Sequence, residues 1–236
     1  MNRFAKTCTA AVAAGLLLSA CNTGADASDD GSDAAAENPV YAAMSAWNVC
    51  EILGNLQPIT DEMAIEGWGG TNAEGGEPGP SELGNTFDPD AMGCGSLLNI
   101  TSGGDYVNFG GGGELKVKLV PTESADQAAS AYEERAAAAQ SSGSGGEGLV
   151  ELPLEGGWDQ GVLYGWTGSA NAHYLEVIGQ SGQWVLHIQL NYDHNFGEED
   201  GEPAYSFTSD ELEEWFAGTY AAEVEQTVNA KIAEVQ

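Results

Sequence analysis

The stretch QWVLHIQLNY, residues 183–192, alternates apolar and polar side chains from Leu186 to Tyr192. Trp184, Leu186, Ile188, Leu190 and Tyr192 fall on one side, and His187, Gln189 and Asn191 on the other. Alternation of this length is the pattern of a strand with one apolar face. Residues 114–120 repeat it, with Leu115, Val117 and Leu119 opposite Lys116 and Lys118. Residues 94–100, 105–109, 149–154, 161–166 and 173–178 have the same character in shorter form, separated by glycine-rich turns. The glycines at 110–113 read as a hairpin turn between two of these strands, and no Gly-Lys-Ser/Thr start follows them to make a phosphate loop.

Helices punctuate the strands. Asn38-Pro39 supplies a cap and a first-turn proline. Tyr41, Met44, Trp47 and then Ile52 or Leu53 mark the apolar side of the helix it opens, and Gly54 marks its stop. Ser124-x-x-Gln127 reads as a capping box, followed by Ala125, Ala128, Tyr132, Ala136 and Ala139 at helical spacing. Thr208-x-x-Glu211 opens a long C-terminal helix carrying Leu212, Trp215 or Phe216, Tyr220, Val224, Val228, Ile232 and Val235. Strands arriving in runs joined by short turns predict an α+β fold, an antiparallel sheet of six to seven strands packed between helices in an α/β/α sandwich. The Gly/Pro-rich residues 67–93 read as one long loop.

The N-terminus is organised differently. Arg3 and Lys6 precede a short apolar run, residues 10–18, too short for a bilayer span and suited to a signal peptide. Leu18-Ser19-Ala20-Cys21 follows and resembles the bacterial lipobox, in which the cysteine thiol is acylated and becomes the new N-terminus. Residues 1–20 are therefore expected to be a lipoprotein signal, with Cys21 the lipid anchor on the outer side of the cell membrane. Residues 21–38 are small and acidic, a tether, and residues 39–236 form one α+β domain.

The 236-residue chain carries 37 acidic side chains and only 6 basic ones, a formal charge of −31. This excludes an electrostatic nucleic-acid binder and a polybasic lipid-binding surface. Beyond residue 20 the only lysines and arginines are Lys116, Lys118, Arg135 and Lys231. Lys116 and Lys118, side by side on one strand face, are candidate ligand-facing residues, although local pairing with acids such as Glu114 is the favoured reading. Trp68, in the GWGG segment, is a third candidate.

Cysteine usage fits export. Cys8 leaves with the signal and Cys21 is acylated, so Cys50 and Cys94 are expected to form a disulfide in an oxidising compartment. Two isolated cysteines without histidine at ligand spacing make no zinc site, and no metal or cofactor is expected. Gly143-x-Gly145-x-x-Gly148 matches a dinucleotide fingerprint but follows a helix and precedes a strand, the reverse of the required context. The acidic residues 193–202 could hold calcium, yet they miss the EF-hand glycine and glutamate. His173, His187 and His194 read as sheet-face or loop histidines, and Glu133-Glu134 and Glu213-Glu214 as solvated helix faces. No serine-nucleophile elbow or His-Glu-x-x-His is present.

Cys21, Cys50-Glu51-Ile52-Leu53, Cys94-Gly95-Ser96 and Leu154-Glu155-Gly156-Gly157-Trp158-Asp159 together resemble the small cell-envelope lipoproteins of actinobacteria grouped as a domain of unknown function. Two positions depart from that pattern, Ser96 where tryptophan is frequent and Val49 where proline is frequent. The resemblance implies a Mog1/PsbP-like sheet between helices and brings no catalytic residues. The expected function is a membrane-anchored, non-enzymatic module binding an envelope ligand or partner protein. An envelope hydrolase, its site assembled from residues distant in sequence, is the alternative.

Overall fold

The computed structural model describes residues 38–70, 74–82, 91–100, 111–193 and 205–236. They form α1 (Pro39–Ser45), α2 (Val49–Ile52), a short turn (Gly54–Leu56), α3 (Gln57–Glu62), β1 (Ile65–Trp68), β2 (Gly79–Glu82), β3 (Met92–Ile100) and β4 (Gly111–Pro121). The second half is α4 (Ala125–Gly143), β5 (Glu147–Pro153), β6 (Gln160–Thr167), β7 (Ala172–Ser181), β8 (Trp184–Asp193), α5 (Ser209–Trp215), a π turn (Phe216–Tyr220) and α6 (Ala221–Ala233). The strands make one sheet in the order β1-β3-β4-β8-β7-β6-β5, with β2 also paired to β3, and every pairing between strands is antiparallel.

The alternation in β4 and β8 sets both faces. Leu115, Val117, Leu119, Trp184, Leu186, Ile188 and Leu190 enter one large core beneath α1–α3, α5 and α6. Val120, Val162, Tyr164, Ile178 and Val185 point the other way and pack under α4 through Ala128 and Ala139. Alanines on that side of α4 let its backbone lie close to the sheet. The α+β class with an antiparallel sheet between helices is thus the architecture observed.

Several local expectations change. Among the described residues the sheet has eight strands, because the stretch expected to be one long loop contains β2 and the ends of β1 and β3. Gly67 and Trp68 end β1, β2 lies within the segment, and Met92 and Gly93 begin β3. β2 contains Pro80, which cannot donate to a ladder and is tolerated because β2 has a neighbour on one side only. Gly111–Gly113 extend β4 opposite Leu98, Asn99 and Ile100 and are not a hairpin turn. A Cβ at Gly113 would lie 2.5 Å from the Asn191 carbonyl oxygen, so glycine permits the close approach of β4 to β8 there. The strand expected at 105–109 falls outside the described residues.

The first helix breaks after Ser45. Asn38 caps it as expected, its side chain accepting from the Val40 and Tyr41 amides. Gly54, Asn55 and Leu56 then form a left-handed turn, with φ of 58°, 53° and 57°. That conformation costs about 1–2 kcal/mol per residue bearing a side chain. It aims Leu56 into the core, where it is fully buried.

In the C-terminal helix Thr208 and Glu211 form a complete capping box. Leu212, Phe216, Tyr220, Val224, Val228 and Ile232 recur every four residues, whereas an α-helix turns every 3.6, so the apolar stripe would drift around the helix. The wider π turn over Phe216–Tyr220 brings it back. The Glu155 amide donates to the Ala217 carbonyl within that turn at 2.9 Å, satisfying an acceptor in the altered ladder. Val235 lies beyond α6 and is exposed.

Candidate functional site

Strand register builds the site on the α4 side of the sheet. Across β4, β8, β7 and β6, three rows of neighbouring residues align: Lys118–His187–Ile178–Val162, Lys116–Gln189–Glu176–Tyr164, and Glu114–Asn191–Tyr174–Trp166. The last two rows open at the C-terminal end of α4 into a cleft of about 460 Å³. Glu114, Lys116, Gln189, Asn191, Tyr174 and Glu176 line it, with Ser142, Gly145 and Gly146 along the helix end.

Trp166 and Tyr174 stack at 5.5 Å with their planes 8° apart and support one wall. Gly143 and Gly146 lie against Trp166, where a Cβ at Gly146 would come within 2.5 Å of the indole. Gly143 and Gly146 therefore serve close packing, whereas Gly148 supplies a positive φ of 66° in open space. Gln189 and Asn191 make no side-chain hydrogen bond to the described residues, leaving two donor–acceptor amides for a ligand.

Charge in the cleft is already locally compensated. Lys116 Nζ lies 2.7 Å from Glu114 Oε1 on the cleft rim. His187 Nε2 lies 2.8 Å from Glu176 Oε2. Burial disfavours the imidazolium of His187, and although the Glu176 carboxylate opposes this, its pKa falls below the ordinary 6.5. Lys118 is also lowered, by burial first and then by Lys116. Arg135 of α4 is buried enough for its pKa to fall, and its Nη1 donates to the Ala131 carbonyl at 2.8 Å. Three of the four lysines and arginines beyond residue 20 thus gather on this side of the sheet.

A pH dependence follows. Because His187 binds its proton less tightly folded than unfolded, acidification favours the unfolded chain. Its contribution to stability is complete above pH 6.5 and is lost as pH falls from there toward the lowered folded value. Urea unfolding at pH 7 and pH 5.5 should therefore show a stability loss that is smaller in His187→Gln than in the wild type.

The sequence candidates separate. Lys116 lines the cleft, but Lys118 is only 7% exposed and Trp68 is buried in the opposite core, so neither presents itself to a ligand. Cys50 and Cys94 form the disulfide, tying α2 to β3. Cys21, His194 and nearly all of the acidic segment 193–202 lie outside the described residues. Among the described residues no group of three or more His, Cys, Asp or Glu is placed to hold a metal.

One expectation about glutamate is corrected. Glu213 is not on a solvated helix face: it is 3% exposed, and its Oε1 lies 3.0 Å from Nε2 of the equally buried His173. His187 lies on a sheet face as read from the sequence, and it is only 6% exposed there. Glu176, Gln189, Asn191, Tyr174 and Glu213 were missed as participants. For the four strand residues the available signal was alternate polar side chains, Tyr174 and Glu176 in β7 and His187, Gln189 and Asn191 in β8, whereas nothing local marked Glu213.

Chemically the cleft is equipped to bind. Glu176 reaches its wall, whereas His187 is not among the lining residues. Comparison with protein-family models, with curated proteins and with solved structures finds no match.

Proposed function

We propose that this chain is an extracytoplasmic lipoprotein, anchored through Cys21, whose domain is a non-enzymatic module binding a small polar ligand of the cell envelope. The observation carrying this reading is the cleft floor, where Gln189 and Asn191 offer unengaged amides beside Tyr174 and the Lys116–Glu114 and Glu176–His187 pairs. Groups that both donate and accept suit hydroxyl- or amide-bearing ligands, and the carboxylates of so acidic a protein disfavour anions. The signal-like N-terminus and the disulfide support export. The same features support placement among the actinobacterial envelope lipoproteins.

A single observation favours a second reading, an envelope hydrolase: a histidine of lowered pKa backs onto a cleft carboxylate. The cleft test is an NMR titration of the full chain with a soluble envelope-glycan fragment, following the Gln189 and Asn191 side-chain amides. Saturable shifts that vanish in Gln189→Leu/Asn191→Leu, with the fragment recovered intact, support binding. Fragment cleavage that stops in Glu176→Gln supports the hydrolase. Cys21→Ala should release the protein from the membrane fraction; retention would refute the anchor.

A further inference from the structure

One wall of the cleft at the end of α4 is an aromatic stack that stops at the cleft. Trp166 of β6 and Tyr174 of β7 are direct partners across the two strands, and their rings lie nearly parallel with centroids 5.5 Å apart. That separation is close to the spacing of neighbouring strands, so the stack runs across the sheet. Gly143 and Gly146 close the far side of Trp166, which is buried. Tyr174 ends the stack: it is half-buried, lines the cleft and has Asn191 of β8 as its neighbour on the side away from Trp166. A Cβ at Gly168 would come within 2.5 Å of the edge of the same ring, so glycine there leaves Tyr174 room to stand in this position. The second face of Tyr174 is thus turned toward Asn191 and the cleft.

Polar groups converge beside that face. Gln189 and Asn191 follow one another on the same side of β8, about 7 Å apart, and neither side-chain amide is engaged by the described residues. Glu176, opposite Gln189, is held by His187 through Oε2, which leaves Oε1 as an acceptor at the cleft wall. The result is one flat apolar surface bordered by two amides and a carboxylate. A pyranose ring is its complement. The C–H bonds on one side of such a ring form an apolar face that packs on the electron-rich face of an aromatic ring, while the hydroxyls around its rim both donate and accept. An open-chain polyol has the hydroxyls without the rigid face, and an anionic sugar would meet Glu114 and Glu176.

We propose that the cleft is a saccharide site, in which an uncharged pyranose ring stacks on the second face of Tyr174 and its hydroxyls bond Asn191, Gln189 and Glu176. The inference rests on the reading of the cleft as a binding site, and it adds the class of ligand and the residue that selects it. Tyr174 determines specificity because the amides alone do not distinguish a ring from an open chain.

The probes are methyl β-glucopyranoside, its 2-acetamido counterpart and glucitol, an open-chain polyol, each titrated into the full chain by NMR. At least one glycoside should shift the Gln189 and Asn191 side-chain amides saturably, and its ring protons should move upfield under the Tyr174 ring. It should bind about fivefold more tightly than glucitol, the worth of one aromatic contact. Tyr174→Ala should remove both the preference and the upfield shift, whereas Tyr174→Phe should keep both, because the face and not the hydroxyl is used. Unchanged methyl resonances of Leu115 and Ile188, in the opposite core, show that each variant keeps its fold. Glucitol binding as tightly as the glycosides, at the same amides, would overturn the saccharide assignment and leave the cleft a site for other polar ligands. A preference that survives in Tyr174→Ala would overturn the stacking. Absence of saturable shifts with all three probes would also overturn the assignment, and the envelope-fragment titration then decides separately whether the cleft binds at all.

Discussion

Replacing Cys50 and Cys94 together by alanine should lower the unfolding free energy by about 4 kcal/mol. The bond closes a loop of 44 residues, and the chain-entropy estimate for that length gives this magnitude. Total stability of a domain is typically about 5–15 kcal/mol, so a large share would go. The loss has a structural focus. The bond joins α2, only four residues long, to β3, a strand paired with β1, β2 and β4. A one-turn helix is not stable alone, so its position depends on the bond and on the core beneath it. Both cysteines are buried, and alanine would add a modest packing loss. Reduction of the wild type with dithiothreitol removes the bond and leaves the sulfur atoms, so urea unfolding of reduced protein and double variant separates the two effects. A drop below about 1 kcal/mol on reduction would mean that the unfolded chain already holds this loop closed.

His173→Leu should destabilise the protein by about 1–3 kcal/mol, because it leaves the buried Glu213 carboxyl group without its polar neighbour. The two side chains are 6% and 4% exposed, and His173 Nε2 approaches Glu213 Oε1 to 3.0 Å. Glu213 Oε1 also occupies the space that a Cβ at Gly165 would need, so β6 carries glycine where α5 brings the carboxylate down. Around the pair, Tyr192 lies 5.3 Å from the imidazole ring, and its hydroxyl hydrogen-bonds Ser209 at 2.9 Å. The pair therefore ties α5 to β7, while Ser209 at the start of α5 meets Tyr192 of β8. The double variant His173→Leu/Glu213→Leu should recover most of the loss, since replacing both partners of a buried polar contact by apolar groups can be nearly neutral. A thermodynamic cycle over the three variants reads the coupling directly. Strict additivity would show that the contact contributes nothing and that His173 acts only by filling space.

Much of the scaffold could be read from the chain. The alternation through Trp184–Tyr192 and Leu115–Leu119 assigned β8 and β4 and their buried faces, because side-chain direction in a strand follows a period of two within a few residues. Asn38, Ser124 and Thr208 marked helix starts by local capping chemistry, and the four-residue spacing from Leu212 to Ile232 already held the signature of the π turn. Misreadings arose where glycine and proline were taken as breaks. Gly111–Gly113 and Pro80 sit in strands because neighbouring backbone, not their own propensity, determines their conformation.

The site was far less legible. Glu176 and His187 are 11 residues apart, His173 and Glu213 are 40 apart, and nothing local to either residue of a pair encodes the other. Alternation shows which side of a strand His187 occupies, but only the register of β8 against β7 and the placement of α4 decide that this side is dry. The same holds for Lys118 and Trp68, which charge and aromaticity suggested for a ligand and which packing removed from one.

By itself, then, the sequence determined the class of fold, the faces of its longest strands, most helix starts and the availability of Cys50 and Cys94 for pairing. These follow from composition and from periodicities a few residues long. Tertiary structure alone decided the eighth strand, the buried His–Glu pairs and the cleft at the end of α4. Each depends on distances between residues remote along the chain, which are set when the two sheet faces are covered and every buried polar group must find, or lack, a partner.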